Sequence, residues 1–244
     1  MVRMLVTRPD PDASETAARL AALDIETTVC PLLRFATLPA SLPDPRGFAA
    51  LALTSGNALR ALEEGGNLAP CLDLRVYTVG DRTAERARAA GFRHVESAGG
   101  AFGDLVELLA HNKPPGPVLY PAGRDQSGDL AKSLAPHGVM VIVAQVYAMD
   151  RIAALPAAVL AGLSGGSIEA ALFYSRRTAE AFVALAAPQL DSGTKRRLGM
   201  LCIAEQVAEP LLDAHFVRVG LADHPSEEAM MGLALSFARD QEAS

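Results

Sequence analysis

Short apolar runs alternate with amphipathic patterns along the whole chain. In two places, an apolar run ends at a serine and passes directly into apolar residues at helical spacing: "LALTSGNALRAL" at 51–62 and "LFYSRRTAEAFVAL" at 172–185. Apolar residues three and four apart indicate one face of a helix, whereas a short continuous apolar run indicates a buried strand. Each stretch therefore predicts a strand, a serine at the joint, and a helix.

These two joints belong to longer internal repeats. Residues 2–33 and 116–147 align at a constant offset, so that Leu20 corresponds to Leu134 and Ile25 to Val139. A second, longer unit begins at each joint and continues through two more strands and helices. Strands that alternate with helices of this length predict parallel sheets with right-handed crossovers. One copy of each unit gives a domain of about five strands flanked by helices.

The units follow one another in the order short, long, short, long, which leaves two domain arrangements open. Either neighbouring units pair, or one domain is inserted into the other. The chain contains no single exposed linker, and this favours the inserted arrangement. We therefore expect a discontinuous lobe 1 at 1–35 plus 152–244, an inserted lobe 2 at 38–147, and paired linkers near 33–38 and 146–152.

Composition and charge limit the classes of protein to which this chain can belong. Half of the 244 residues are hydrophobic, 20% are charged, and the net charge is −6 at pH 7. This predicts a folded chain without a broad basic surface for nucleic acid. The three cysteines fit no disulfide framework and no metal site, so we expect buried thiols in a reducing compartment. Neither a signal peptide nor a membrane-spanning run is present, so we expect a cytoplasmic protein.

Candidate chemistry lies at the predicted strand ends, because ligands of open parallel sheets bind there. The residues at these ends combine small side chains, hydroxyls, arginines and the free amides of helix starts. They are Thr7-Arg8, "TSGN" at 54–57, "GDRT" at 80–83, Gly123-Arg124, "SRR" at 175–177 and "AEQ" at 204–206. Ser55 and Ser175 are also explained by helix capping alone, which is worth about 1 kcal/mol.

The arginines carry more information than the hydroxyls. A cation in the first turn of a helix opposes the helix dipole by about 0.3–1 kcal/mol. Arginines are nevertheless predicted at this position at Arg8, Arg82, Arg124 and Arg176-Arg177. Individual arginines could simply pair with nearby aspartates. Together they predict a rim that receives a ligand with several acidic groups.

Other residue patterns in the sequence do not match nucleotide-binding, acyl-transfer or metal-binding motifs. "GRDQSGD" at 123–129 lacks the Lys-Ser/Thr of a nucleotide P-loop, and no dinucleotide or acyl-transfer motif follows a strand. The histidines have no metal-ligand spacing.

Tyr147 ends the predicted strand "VMVIVAQVY", where the chain should leave one domain for the other. It could donate a proton to a leaving oxygen, or it could only fill space between linkers.

Several ordered motifs resemble the uroporphyrinogen-III synthase family. They are "MLVTRPDPDASETAARLAALDIETTVCPLLRF" at the start, "LTSGNAL" at 53–59, "VGDRTAERARAAGF" at 79–92, Val146-Tyr147, and "ALFYS" at 171–175. Each piece is short, but together they cover nearly the whole chain in the family's order. The resemblance implies two flavodoxin-like α/β lobes joined by a two-stranded β-ladder.

The resemblance also implies a reaction, namely cyclisation of hydroxymethylbilane to uroporphyrinogen III with inversion of ring D. This linear tetrapyrrole carries eight carboxylates. It would lose its terminal hydroxyl to give an azafulvene, close to a spiro-pyrrolenine, and then reopen and reclose. No metal or organic cofactor is implied, and a monomer is expected. Hand-off of the bilane from the enzyme that forms it would supply the substrate.

The family's pattern assigns roles to particular residues. Tyr147 would assist departure of the hydroxyl. Ser55, Asn57, Thr83 and Ser175 would line the cleft. The strand-end residues complete the expected substrate contacts with Arg8, Gly80, Arg82, Arg124, Arg176 and Gln206. Two segments depart from the pattern: "AEQVA" at 204–208 places Glu205 near an expected carboxylate site, and "GGAFGDL" at 99–105 leaves its role open.

Two other classes of function share these features. A two-lobed binding module for a small polyanionic metabolite would need the same lobes and anion-receiving loops without catalysis. A nucleotide- or flavin-dependent enzyme of flavodoxin type would share the sheets, although the phosphate-loop motifs are missing from the sequence.

Overall fold

The computed structural model describes residues 2–39, 42–126 and 128–242. Its strands are β1 (Arg3–Val6), β2 (Glu26–Val29), β3 (Leu33–Thr37), β4 (Ala50–Leu53), β5 (Arg75–Thr78), β6 (Val95–Ser97), β7 (Val118–Gly123), β8 (Val141–Arg151), β9 (Ala170–Phe173), β10 (Gly199–Cys202) and β11 (Val219–Leu221). Its helices are α1 (Asp12–Ala21), α2 (Gly56–Glu64), α3 (Asp81–Ala89), α4 (Phe102–Asn112), α5 (Leu130–Leu134), α6 (Ala157–Gly165), α7 (Arg176–Ala186), α8 (Ser192–Arg197), α9 (Glu205–Asp213) and α10 (Glu227–Glu242).

The described residues divide into two compact units. Lobe 1 contains the chain up to Arg34 and from Arg151 onward, and lobe 2 contains the residues between Phe35 and Asp150. The chain therefore enters and leaves lobe 2 once each. No helix among the described residues is long and apolar enough to cross a membrane.

Lobe 1 is built on a five-stranded parallel sheet in the order β11–β10–β9–β1–β2. The central strands β9 and β10 are buried along their whole length, as expected for a parallel sheet covered on both faces. One face packs on α1 and α10 through Leu20, Met230 and Phe237.

Lobe 2 contains a six-stranded sheet in the order β3–β8–β7–β4–β5–β6. The five strands from β8 to β6 are parallel. Alternate residues of β4 supply two separate cores: Leu51 and Leu53 pack with the α2 side, while Ala50 and Ala52 pack with the α4 side. This alternation fixes the register of β4, because a slip of one residue would exchange the two faces.

The last strand, β3, lies beside β8 and completes the expected two-stranded ladder. Within lobe 2, the Leu38 amide donates a hydrogen bond to the Val146 carbonyl at 2.8 Å. Parallel sheets, flanking helices and this ladder confirm the fold class predicted from the sequence.

The internal repeats account for the strand order of both sheets. The short unit forms β1–α1–β2 in lobe 1 and β7–α5–β8 in lobe 2, and the long unit supplies the other strands of each sheet. The two strand orders correspond strand by strand. However, the short unit comes first along lobe 1 and last along lobe 2, so each lobe is a circular permutation of the other.

One helix is unusually short, and one strand differs from the sequence prediction. Helix α5 has only five residues, because Asp129 caps its start and Pro136 follows in a 3-10 turn. Strand β8 begins at Val141 and continues to Arg151, since its second half lies beside β3. The prediction that Tyr147 ends this strand was therefore wrong.

Candidate functional site in each lobe

In each lobe, the sheet has a topological switch point between two central strands. In lobe 1 the connections leave β1 and β9 toward opposite edges of the sheet, and in lobe 2 they leave β7 and β4 in the same way. Ligands of open α/β sheets bind at the carboxyl ends of such strand pairs. The residues that follow these strands are therefore the first candidates in each lobe.

At the lobe 1 switch point, polar groups already satisfy one another. The buried Thr7 hydroxyl donates to the Leu172 carbonyl at 2.6 Å and ties β1 to β9. Arg8 follows Thr7, and its guanidinium lies 4.0 Å from the centroid of the Tyr174 ring. Burial raises the pKa of the Tyr174 phenol, and the Glu227 carboxylate raises it further. The phenol therefore stays protonated and donates to Glu227 at 3.0 Å.

Arg8 is the centre of this network. It donates to Glu227 at 2.7 Å, to Asp12 at 2.8 Å and to the Thr16 hydroxyl at 3.2 Å. Its side chain is only 15% exposed. Every one of these partners belongs to lobe 1, so the arginine links β1 and α1 to the start of α10.

Two of the arginines do not lie in the first turn of a helix, contrary to the sequence prediction. Helix α1 begins four residues after Arg8, and α5 begins six residues after Arg124. The conflict with a helix dipole therefore does not arise for these two side chains. It holds for Arg82 in α3 and for Arg176 in α7.

In lobe 1, Ser175 follows β9 and caps the start of α7. Its Oγ accepts the Thr178 amide at 3.2 Å, while Arg176 in the same turn donates to Glu180 at 3.0 Å and also to Glu209. The hydrogen bond to Glu209 is the main cause of a raised pKa of the Arg176 guanidinium. Gln206 lies exposed in the first turn of α9, and its carbonyl is 3.5 Å from Arg176 Nη1.

In lobe 2, the joint after β4 again places a serine at the start of a helix. The Ser55 Oγ accepts the Asn57 amide at 3.2 Å and caps α2. The Asn57 side chain is 3.7 Å from the Met149 sulfur. The Thr54 hydroxyl and the Tyr120 phenol are hydrogen-bonded at 3.0 Å, and burial raises the pKa of that phenol.

At the joint after β5, the helix start is formed by a glycine and therefore exposes backbone groups and no capping side chain. Gly80 caps α3 with no side-chain bond, and a Cβ built on it would lie 3.5 Å from Gly100 Cα. The loops after β5 and β6 therefore approach each other closely at two glycines. Thr83 is buried, so its side chain packs in the lobe, whereas Arg82 in the same turn is exposed. Arg124, after β7, donates to Asp150 at 2.9 Å.

Tyr147 is largely buried in lobe 2, with 9% of its surface exposed. A bulge in the pairing of β7 with β8 places it opposite Gly123, and its ring stacks on Phe35 with a centroid distance of 5.7 Å. A Cβ built on Gly123 would lie 2.9 Å from the Tyr147 Cζ and 3.1 Å from its Oη. Glycine at 123 is therefore required by the position of the phenol.

The structure thus brings the candidate residues together lobe by lobe. The carboxyl ends of β1, β9 and β10 carry Arg8, Ser175, Arg176 and Gln206, and those of β4, β5 and β7 carry Ser55, Asn57, Gly80, Arg82, Thr83 and Arg124. Sequence reasoning missed Tyr174, Glu227 and Phe35. Their partners are distant in the chain, so no local pattern identifies them. Within the described ranges, no group of His, Cys, Asp or Glu side chains could hold a metal ion.

The fold and these joints define a class: an α/β protein with two parallel sheets that present amides, hydroxyls and arginines at the ends of their central strands. The chain matches the family model described as HEM4, uroporphyrinogen-III synthase HemD, over residues 14–232. It therefore belongs to the uroporphyrinogen-III synthase family, whose members are lyases of tetrapyrrole biosynthesis. The resemblance seen in the sequence is confirmed.

Solved structures agree on the fold. The chain is similar to a uroporphyrinogen-III synthetase from Helicobacter pylori 26695, with 22% identity and a TM-score of 0.68 over 97% of this chain and 100% of that chain. It is also similar to a mutant uroporphyrinogen III synthase from the extremely thermophilic bacterium Thermus thermophilus, with 18% identity and a TM-score of 0.59 over 100% of both chains. A comparison with curated protein sequences finds no significant match.

Proposed function

We propose that this protein converts hydroxymethylbilane into uroporphyrinogen III, with inversion of ring D and release of one water. The observation that carries the proposal is the family match over residues 14–232. The polar joints at the carboxyl ends of the central strands give it a physical basis, because they offer many donors to a ligand with eight carboxylates. The comparisons favour this enzyme over a non-catalytic binding module.

The reaction requires placement more than strong acid–base chemistry. Departure of the terminal hydroxyl leaves an azafulvene, which closes to a spiro-pyrrolenine, and reopening and reclosure then invert ring D. Without guidance, the flexible chain closes without inversion. Holding its two ends in one geometry is therefore the main task of the protein, and such positioning can supply several kcal/mol of a barrier.

Two exposed ion pairs provide cations for this purpose. Arg124 and Asp150 are 49% and 53% exposed, and Arg176 and Glu209 are 50% and 52% exposed. Exposed pairs of this kind are worth only about 0–1 kcal/mol. A substrate carboxylate can therefore replace the protein carboxylate at little cost. At Arg176, the displaced Glu209 would keep that exchange reversible.

Tyr147 is the proposed proton donor to the leaving hydroxyl. Its ring is held between Phe35 and Gly123, so the phenol has little freedom to rotate away. A neutral phenol can donate a hydrogen bond to a departing oxygen at neutral pH.

The remaining parts of the proposal follow the family. Substrate contacts are assigned to Ser55, Asn57, Gly80, Arg82, Thr83, Arg124, Ser175, Arg176 and Gln206, with backbone amides contributing where the side chains are caps or buried. The network around Arg8 instead stabilises lobe 1.

The protein acts without a cofactor, as a cytoplasmic monomer, on bilane handed over by the enzyme that forms it.

The proposal is tested by incubating the purified protein with freshly prepared hydroxymethylbilane, oxidising the products and separating the porphyrin isomers. We expect isomer III in large excess over a control without protein. Isomer I alone, at the rate of that control, would contradict the proposed function.

A further inference from the structure

Arg86 of α3 lies across the start of α2 in lobe 2. A Cβ built on Gly56 would lie 2.9 Å from Arg86 Cδ and 3.0 Å from its Cζ. Gly56 is the first residue of α2 and directly follows Ser55, at the end of β4. Because residue 56 has no side chain, the guanidinium reaches the strand-end joint between β4 and α2.

Within the described part of the chain, the Arg86 guanidinium makes no hydrogen bond and no ion pair with a carboxylate. Its position opposes the dipole of α2, and Arg82 adds a like charge one turn earlier on α3. In the corresponding joint of lobe 1, Arg176 is instead compensated by Glu180 and Glu209. Local stability therefore does not explain the placement of Arg86.

We propose that Arg86 is a further substrate-binding residue, whose guanidinium takes one carboxylate of the tetrapyrrole at the joint after β4. This inference rests on the proposed function. A planar guanidinium suits a carboxylate because it can donate two parallel hydrogen bonds. Ser55 and Asn57, already assigned as contacts, lie in the same joint, so one carboxylate could be held by the helix start and by Arg86 together.

The first test compares two arginines of the same lobe. In Arg86→Gln, we expect the KM for hydroxymethylbilane to rise about tenfold while kcat stays within about twofold, which is the signature of lost uniform binding. The matched control is Arg75→Gln, which removes the same charge from an exposed residue at the opposite end of β5. Its KM should stay within about twofold of the wild type. Equal KM values for both variants would overturn the proposal.

The second test uses Gly56→Ala. The added methyl group would displace the flexible end of Arg86, so KM should rise, whereas the thermal midpoint should not fall, because alanine favours helix over glycine. Combined with Arg86→Gln, the change at 56 should raise KM no further. Independent, multiplicative effects of the two changes would contradict a shared role.

Different results would refute the proposed function and the role of Arg86. A wild-type protein that forms no isomer III refutes the proposed function itself. A wild-type protein that forms isomer III, together with an Arg86→Gln variant of unchanged KM, refutes only the role of Arg86.

Discussion

Replacing Arg8 with methionine distinguishes two possible roles of this residue, namely contact with the substrate and stabilisation of lobe 1. The change removes the ion pairs to Asp12 and Glu227, the bond to Thr16 and the contact over Tyr174. Methionine keeps most of the apolar stem, so the loss is mainly electrostatic. We expect reduced stability with little change in substrate affinity.

The magnitude follows from the burial of the pairs. Side chains of Arg8, Asp12 and Glu227 are 15%, 30% and 27% exposed. Breaking a buried pair by removing one partner costs about 3–5 kcal/mol, and breaking an exposed pair costs about 0–1 kcal/mol. An intermediate loss of about 2–3 kcal/mol is therefore expected. For a chain of this size, that lowers the thermal midpoint by about 4–12 °C.

The assay combines thermal unfolding with steady-state kinetics. Arg3→Met is the matched control, because Arg3 lies at the other end of β1 in a half-exposed pair with Glu26 and should lose at most about 1 kcal/mol. Adding Glu227→Gln to Arg8→Met should restore part of the lost stability, since it removes a carboxylate left without its cation. An unchanged thermal midpoint together with a KM raised severalfold would refute the reasoning and return Arg8 to the substrate contacts.

Further predictions concern the phenol and the thiols. Tyr147→Phe should lower kcat for isomer III by about tenfold or more in a protein that still folds, because the ring still packs on Phe35; an unchanged kcat would remove the proposed donor. Gly123→Ala should lower kcat in the wild type, because its methyl group displaces the phenol, but much less in the Tyr147→Phe background. Burial raises the pKa of Cys202 to about 12, so only about 1 in 10,000 of these thiols is ionised at pH 8. Cys202 should resist alkylation in the native protein and react after denaturation, and rapid native labelling of Cys202 would contradict its burial.

Much of the fold could be predicted because the relevant signals are local. Apolar runs and helical spacing gave the strands and helices, and the repeats predicted parallel sheets of about five strands. The serine joints were also visible, since a helix cap and the residues it serves are neighbours in sequence. Ser55 and Ser175 cap their helices as expected.

The roles of individual side chains depended on contacts that no local pattern contains. Arg8 pairs with Glu227, which lies 219 residues away in the chain. Helix-dipole reasoning failed for Arg8 because α1 begins only at Asp12. Arg86 could not be singled out from the other arginines, because its importance comes from the absent side chain of Gly56 on a neighbouring helix.

The central claim is catalysis, and turnover tests it most directly. A small amount of protein should be mixed with a large molar excess of freshly made hydroxymethylbilane, and the molecules of isomer III formed per protein molecule should be counted over time. We expect many turnovers and isomer III as the dominant product. A yield of at most one isomer III per protein, or a mere slowing of spontaneous closure to isomer I, would show a binding module and contradict the account.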